Sequence, residues 1–206
     1  MAKIKLTKGE LKRQRDALRQ YERYLPILQL KKQQLQMEIG QQLNLRDEKM
    51  RAESAKLAGI ESWLGLLAEP KINIKQYIQP KKVITSWKNI AGVDLPVFEQ
   101  VEFDKAEYDL FLTPLWVDTA VEILRSIVSL RQEVKVLEKG IEILRQELRI
   151  TTQRVNLFEK VKIPESEENI RVIKVYLGDQ MANAVGRSKI AKKKIEQLES
   201  ILVPAS

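Results

Sequence analysis

The residues of this sequence whose type and spacing could do chemistry are basic, and the chemistry they offer is attraction to anionic surfaces. Residues 1–36 hold ten bases (Lys3, Lys5, Lys8, Lys12, Arg13, Arg15, Arg19, Arg23, Lys31, Lys32) against three acids (Glu10, Asp16, Glu22). Towards the other end Arg187, Lys189, Lys192, Lys193 and Lys194 occur with no acid between them. Residues 92–111 reverse the sign, with Asp94, Glu99, Glu102, Asp104, Glu107 and Asp109 against the single base Lys105. Over 206 residues the formal charge is +8. A charge run on a helix is ordinarily only a solvated face, so a role for these runs depends on how the fold gathers them.

Other chemistry is thinly supplied. With His 0 and Cys 0, the chain has no imidazole base, no thiolate nucleophile and none of the usual zinc or iron–sulfur ligands. Gly186-Arg187-Ser188-Lys189 lacks the spacing of a phosphate-binding loop and falls in a helical region, and no Gly-x-Gly-x-x-Gly occurs. Glu167-Glu168 is a carboxylate pair, but on exposed helix it lacks the burial that acid–base catalysis requires. For nucleic acid the aromatic interleaving is missing: only Tyr21 and Tyr24 accompany the N-terminal bases. No catalytic residue, cofactor or metal site is therefore expected. The opening MAKIKLTKGELKRQ contains no apolar core of a signal peptide, and no stretch of about 18 apolar residues would span a bilayer. The absence of cysteine fits a reducing compartment, so the expectation is a cytoplasmic protein that is not inserted into a membrane.

The elements that carry these charges are long helices. Charged residues make up 31% and aromatics 6%, with only 8 glycines and 7 prolines, a composition suited to helix. From Trp116 the positions Ala120, Ile123, Ile127, Leu130, Val134, Leu137, Ile141, Leu144, Leu148, Thr151, Val155 and Phe158 step by fours and threes without a slip, which is a heptad seam. A second seam runs through Leu11, Leu18, Tyr21, Leu25, Leu28, Leu35 and Ile39. It shifts once, then resumes as Leu43, Arg46, Met50, Glu53, Leu57, Ile60, Leu64 and Leu67. Polar residues at Gln14, Lys32, Arg46 and Glu53 interrupt it, as in a coil that also has other surfaces to meet or that sets its register at a cost in stability. Pro26 lies inside this helix and predicts a kink or local opening near Tyr24–Leu28.

Between the helices the period changes to two. Val83, Thr85 and Trp87 alternate with Ile84, Ser86 and Lys88, and Val97–Phe103 is strand-like beyond a turn at Ala91-Gly92-Val93-Asp94. This predicts a β-hairpin over about 82–103, with an extended loop as the alternative for its first half. Ile163-Pro164 predicts a break or bend, after which Pro-Glu-Ser-Glu-Glu restarts a helix through Ile170, Ile173, Leu177, Met181, Val185, Ala191, Ile195 and Leu198. Trp116 reads as a core knob, and Trp63 and Trp87 are better placed in a core than as partner anchors.

The resulting fold class is mainly α: a long antiparallel coiled-coil helical hairpin with a small middle segment containing a short β-hairpin. Its parts are an N-terminal helix over 1–67, the middle segment over 68–115, and C-terminal helices over 116–206. An antiparallel hairpin brings both basic stretches together at one tip, with Lys8, Lys12, Arg13, Arg15, Arg19, Arg187, Lys189, Lys192, Lys193 and Lys194 as candidate contact residues.

One run is more specific. Arg154-Val155-Asn156-Leu157-Phe158-Glu159 followed by Ile163-Pro164 resembles the Arg-Val-Asn-x-x-Glu and Ile-Pro signature of the D subunits of V/A-type rotary ATPases, the central-stalk rotor. Leu6-Thr7-Lys8-Gly9-Glu10-Leu11-Lys12-Arg13-Gln14-Arg15 and Leu28 with Lys31-Lys32-Gln33-Gln34-Leu35 resemble that family's opening helix, while Tyr21–Pro26 departs from it. The resemblance implies a mechanical subunit with no active site. Its paired termini would enter a hexamer of alternating catalytic and regulatory subunits, and its other end would meet a small central-stalk subunit and a subunit coupling it to the membrane rotor. The chain would then be cytoplasmic and peripheral to the membrane, within a membrane-bound complex that moves ions and makes or hydrolyses ATP. Two other readings use the same features: a coiled-coil adaptor or structural protein, and a helical protein held to nucleic acid by its basic tip without specific recognition.

Overall fold

The computed structural model describes residues 4–61, 65, 74–105, 114 and 116–202. Helix α1 is Lys8–Ile60, a short α2 is Lys75–Ile78, strands β1 and β2 are Pro80–Ile90 and Val93–Phe103, helix α3 is Trp116–Leu157, and α4 is Ile163–Leu202. A five-residue π turn, Phe158–Lys162, joins α3 to α4 without leaving the helix. The chain forms two compact units, one of residues 1–29 with 153–206 and one of Leu30–Thr152. Trp63, Leu64, Leu67, Glu107 and Asp109 lie outside the described residues.

Helix α1 starts where Thr7 satisfies orphan amides: the Glu10 N–H donates to Thr7 Oγ1 at 3.3 Å and the Leu11 N–H to the Thr7 carbonyl at 3.0 Å. The helix then runs unbroken past Pro26, so the expected local opening is absent. Pro26 is exposed, and the carbonyl one turn earlier, at Glu22, can bond water in place of the amide that proline lacks. Ile163-Pro164 does not end a helix either. The Ile163 N–H reaches back five residues to the Phe158 carbonyl, and this wider turn replaces the expected break.

In the Leu30–Thr152 unit α1 and α3 lie antiparallel. Lys31 Nζ meets Glu147 Oε1 at 2.8 Å, Lys49 Nζ meets Glu133 Oε1 at 2.8 Å, Arg131 Nε meets Glu53 Oε1 at 2.9 Å, and Lys56 Nζ meets Ser126 Oγ at 3.1 Å. As the α1 partner advances, the α3 partner recedes. Every seam position of α3 from Trp116 to Thr151 is buried or half-buried, as the heptad predicts. The α1 seam is looser, because Met50 and Leu57 are 45% and 41% exposed. Two polar interruptions find partners across a helix pair, Glu53 on Arg131 and Gln14 on Asn169, whereas Arg46 bonds its own neighbour Asp47 at 2.6 Å.

Strands β1 and β2 form one antiparallel hairpin, paired from Ile90 with Val93 out to Pro80 with Phe103. The predicted hairpin is present, with a tighter turn and longer strands than expected. Its two-residue loop has positive φ at both positions, 52° at Ala91 and 75° at Gly92, the conformation that matches strand twist. Gly92 suits it, Ala91 carries the steric cost, and Asn89 Oδ1 accepts the Gly92 N–H at 3.2 Å. The turn end of the hairpin is its packed end. Val93 and Leu95 join Leu35 and Ile39 of α1 and Leu144 of α3 in one buried cluster, flanked by Ile90, Ala91 and Leu148. A two-stranded ribbon is marginal alone, and this seat between two helices stabilises it.

The open end is tied differently. Arg125 of α3 donates from Nε to the Tyr77 carbonyl at 2.8 Å and from Nη2 to the Asp104 carbonyl at 2.6 Å, with its guanidinium 5.1 Å from the Phe103 ring centroid. Beside it Ile74, Val117 and Val121 form a second small core against Trp116, Tyr77 and Leu124.

Candidate functional site

The basic residues singled out in the sequence are distributed over two stretches of the unit formed by residues 1–29 and 153–206. Lys8, Lys12, Arg13, Arg15 and Arg19 are exposed on α1, and Arg187, Lys189, Lys192, Lys193 and Lys194 are exposed on α4. Arg13 has Glu10 at 3.7 Å and Lys192 has Glu196 at 3.7 Å, both wide contacts within one helix. The other eight form no ion pair with the described residues. Most of this charge is therefore left unneutralised and faces outward.

The expected convergence on a single tip needs correction. In this unit Gln14 lies at 3.5 Å from Asn169, and the Tyr21 ring at 5.1 Å from that of Phe158. That antiparallel register brings the start of α1 level with about residue 175 of α4. Ile170 and Ile173 are buried and Leu177 is half-buried, but from Gly178 to Leu198 every residue except Gly186 is exposed. Helix α4 thus continues for roughly 30 Å with no described residue packed on it. The first basic group belongs to the paired stretch and the second to this overhang. Apolar residues recur there, with Met181, Val185, Ile195 and Leu198 at 60%, 56%, 56% and 58% exposed, on a face that Ser188 and Lys192 interrupt between Val185 and Ile195.

The Arg154–Pro164 run divides by helix face. Val155 is buried, and Phe158 and Ile163 are half-buried, while Arg154, Asn156, Glu159 and Pro164 are exposed. Glu168 is doubly bonded by Arg171, at 2.8 and 2.7 Å, and this guanidinium holds its carboxyl below the usual range. That is the reverse of what a general acid near neutral pH requires.

In the Leu30–Thr152 unit the structure exposes a side chain that the sequence placed in a core. Trp87 is 68% exposed, on a hairpin that has only one side to pack. Lys81 Nζ holds Asp104 at 2.9 Å and Asn89 Nδ2 donates to Asp94 at 2.6 Å, while Glu99 and Glu102 stand exposed on β2. An open groove runs between β2 and the helices, lined by Leu45, Pro96, Phe98, Glu133 and Leu137. Sequence periodicity located the strands but carried no information on which face lacked a partner. Among the described residues no helix is long and apolar enough to cross a membrane.

Residues 10–193 match the family model that describes the ATP synthase D subunit. The V-type ATP synthase D subunit of Borreliella burgdorferi is 47% identical over 195 residues, covering 95% of this chain and 96% of that one. Proteins of the same name from Chlamydia abortus and Chlamydia caviae are 36% and 35% identical, each over 95% of both chains.

Proposed function

We propose, for a chain that belongs to the ATP synthase D-subunit family, that it is the turning shaft of the central stalk and supplies no catalytic group of its own. The chain is a stalk subunit of a rotary ATPase and a member of a multi-subunit complex; the proposal concerns how it works there. The observation that carries it is the α4 overhang, a stretch of exposed helix that presents Met181, Val185, Ile195 and Leu198 together with Arg187, Lys189, Lys192, Lys193 and Lys194. Apolar side chains in such a setting bury themselves only against another chain. Its charges favour an acidic lining, here the catalytic and regulatory subunits of the hexamer. Lys8, Lys12, Arg13, Arg15 and Arg19 would meet that hexamer at a second level along the same unit.

Exposed ion pairs are individually weak, each worth about 0–1 kcal/mol. A collar of them lets the shaft turn between angular positions without falling into one deep well. The small central-stalk subunit and the subunit leading to the membrane rotor would use other surfaces, and the hairpin face with Trp87, Glu99 and Glu102 suits one of them. The complex would place the chain at the cytoplasmic face of the membrane, peripheral to it and with no specific nucleic acid partner.

The test is reconstitution with the catalytic hexamer. The wild-type chain should co-elute as one copy per hexamer and change the rate of ATP hydrolysis. Reversal of the overhang charges in K192E/K193E/K194E should shift co-elution to lower salt and reduce that change. Unaltered binding and turnover in the variant would remove the basic overhang from the contact.

A further inference from the structure

Over about 22 Å the exposed surface of α1 carries no charge. Between Leu30 and Leu45 every exposed residue is apolar or an amide, while Lys31, Lys32 and Glu38, the charged residues of that stretch, are half-buried. The facing helix does the opposite: between Glu122 and Arg149 every exposed residue of α3 except Gln146 is charged. Both helices belong to one unit and meet the same solvent, so solvation alone does not account for the difference. Glutamine, lysine and glutamate are close in helix propensity, so helix formation does not account for it either.

The uncharged residues also keep a register. Leu30, Gln34, Met37, Gln41 and Asn44 step by four, three, four and three, the spacing that seats a second helix. Met37 stands about 200° round the helix from Leu35, which is buried with Val93, Leu95 and Leu144, so this row faces away from the core. Leu30 and Met37 are 57% and 63% exposed. At the far end Leu45 forms one wall of the groove lined by Pro96, Phe98 and Leu137, which continues the uncharged surface onto the hairpin.

We infer that this row is the docking site of a helix from another protein chain of the complex, one that presents apolar and amide side chains and no charge along its own face. Charge argues for that occupant. A strip without ions offers nothing to phosphates, to lipid headgroups or to the acidic surface that the basic stretches suit, and charge depletion around a methionine is the composition of a protein interface core. Contacts of this kind act only at short range and are lost when one surface slides over the other. The docked chain therefore keeps one place on α1 and, on the shaft reading, turns with it; the docking itself does not rest on that reading.

Photo-crosslinking in the complex, purified through a tag on this chain, tests the site. A benzophenone side chain at Met37 should form an adduct with one chain that is neither a catalytic nor a regulatory subunit. The adduct should persist from about 0.05 to about 0.5 M salt, because no ion pair holds the contact. The same probe at Arg145 should form no adduct with that chain. Met37→Glu with Gln41→Lys, a pair four residues apart that an exposed helix tolerates, should lower the amount of that chain retained at least about tenfold, with helix content and co-elution with the catalytic hexamer unchanged. Adducts with the hexamer, with a second copy of this chain or with nothing would overturn the docking, as would a double variant that retains the chain in full. Failure of the wild type to bind the hexamer would count against the shaft and leave the adduct to decide the docking.

Discussion

Arg125 shows how much one side chain can hold. Its guanidinium bonds the Tyr77 and Asp104 carbonyls and covers the Phe103 ring, so it fastens α2 and the open end of the hairpin to α3. Arg125→Ala should destabilise the chain by about 1.5–3 kcal/mol, the range for hydrogen bonds to a charged group. Arg125→Lys should recover little of that, because a lysine cannot present two donors in a fixed fork. Paired thermal melts check both. Glu168 gives a pH-dependent expectation. Arg171 lowers its folded pKa below the ordinary 4.5, so its contribution is complete above that value and disappears as the pH falls through the lower one. The melting difference between wild type and Glu168→Gln should therefore shrink as the pH is lowered from neutral through the acid range below 4.5. The carboxylate pair was plain in the sequence. Its partner was also within reach, since Arg171 stands three residues on and faces the same side of a helix.

Among the elements, α3 was the most legible because a single unbroken period dictates both its length and its buried face. The α1 seam was harder, since Arg46, Met50, Glu53 and Leu57 face a less fully enclosed groove, and burial there depends on what the other helix supplies. At Pro26 the helix stays closed because the exposed carbonyl one turn earlier has water to bond in place of the missing amide. Trp87 misled the reading because residue type favours a core while a lone ribbon has a bare face. These distinctions predict a contrast. Leu144, fully buried against the hairpin and α1, should cost about 2–5 kcal/mol on replacement by alanine. Ile195→Ser, at an equally apolar residue of the α4 stripe, should change stability by less than about 0.5 kcal/mol. Chemical denaturation of the two variants makes the comparison.

For the molecule as a whole, the sequence predicted the helical pairing but not the offset between its ends. Past Leu177 the apolar residues Met181, Val185, Ile195 and Leu198 still recur but without a regular heptad, Ser188 and Lys192 interrupting their face, and that lapse accompanies the end of the α1 partner. Only the pairing of Gln14 with Asn169 and Tyr21 with Phe158 fixes where that happens. A chain ending at Leu177 should therefore keep the wild-type stability to within about 0.5 kcal/mol and lose its hold on the catalytic hexamer. Parallel calorimetry and co-elution separate the two effects, and a large fall in stability would mean that the overhang supports the fold. The overhang also divides the pressures under which this sequence evolves. A substitution at Leu35 or Leu144 is tested by the chain's own folding, in every copy made. On the contact proposed here, one between Met181 and Leu198 passes that test unnoticed and is judged only against the partner's surface, so this stretch would drift in step with the partner's gene.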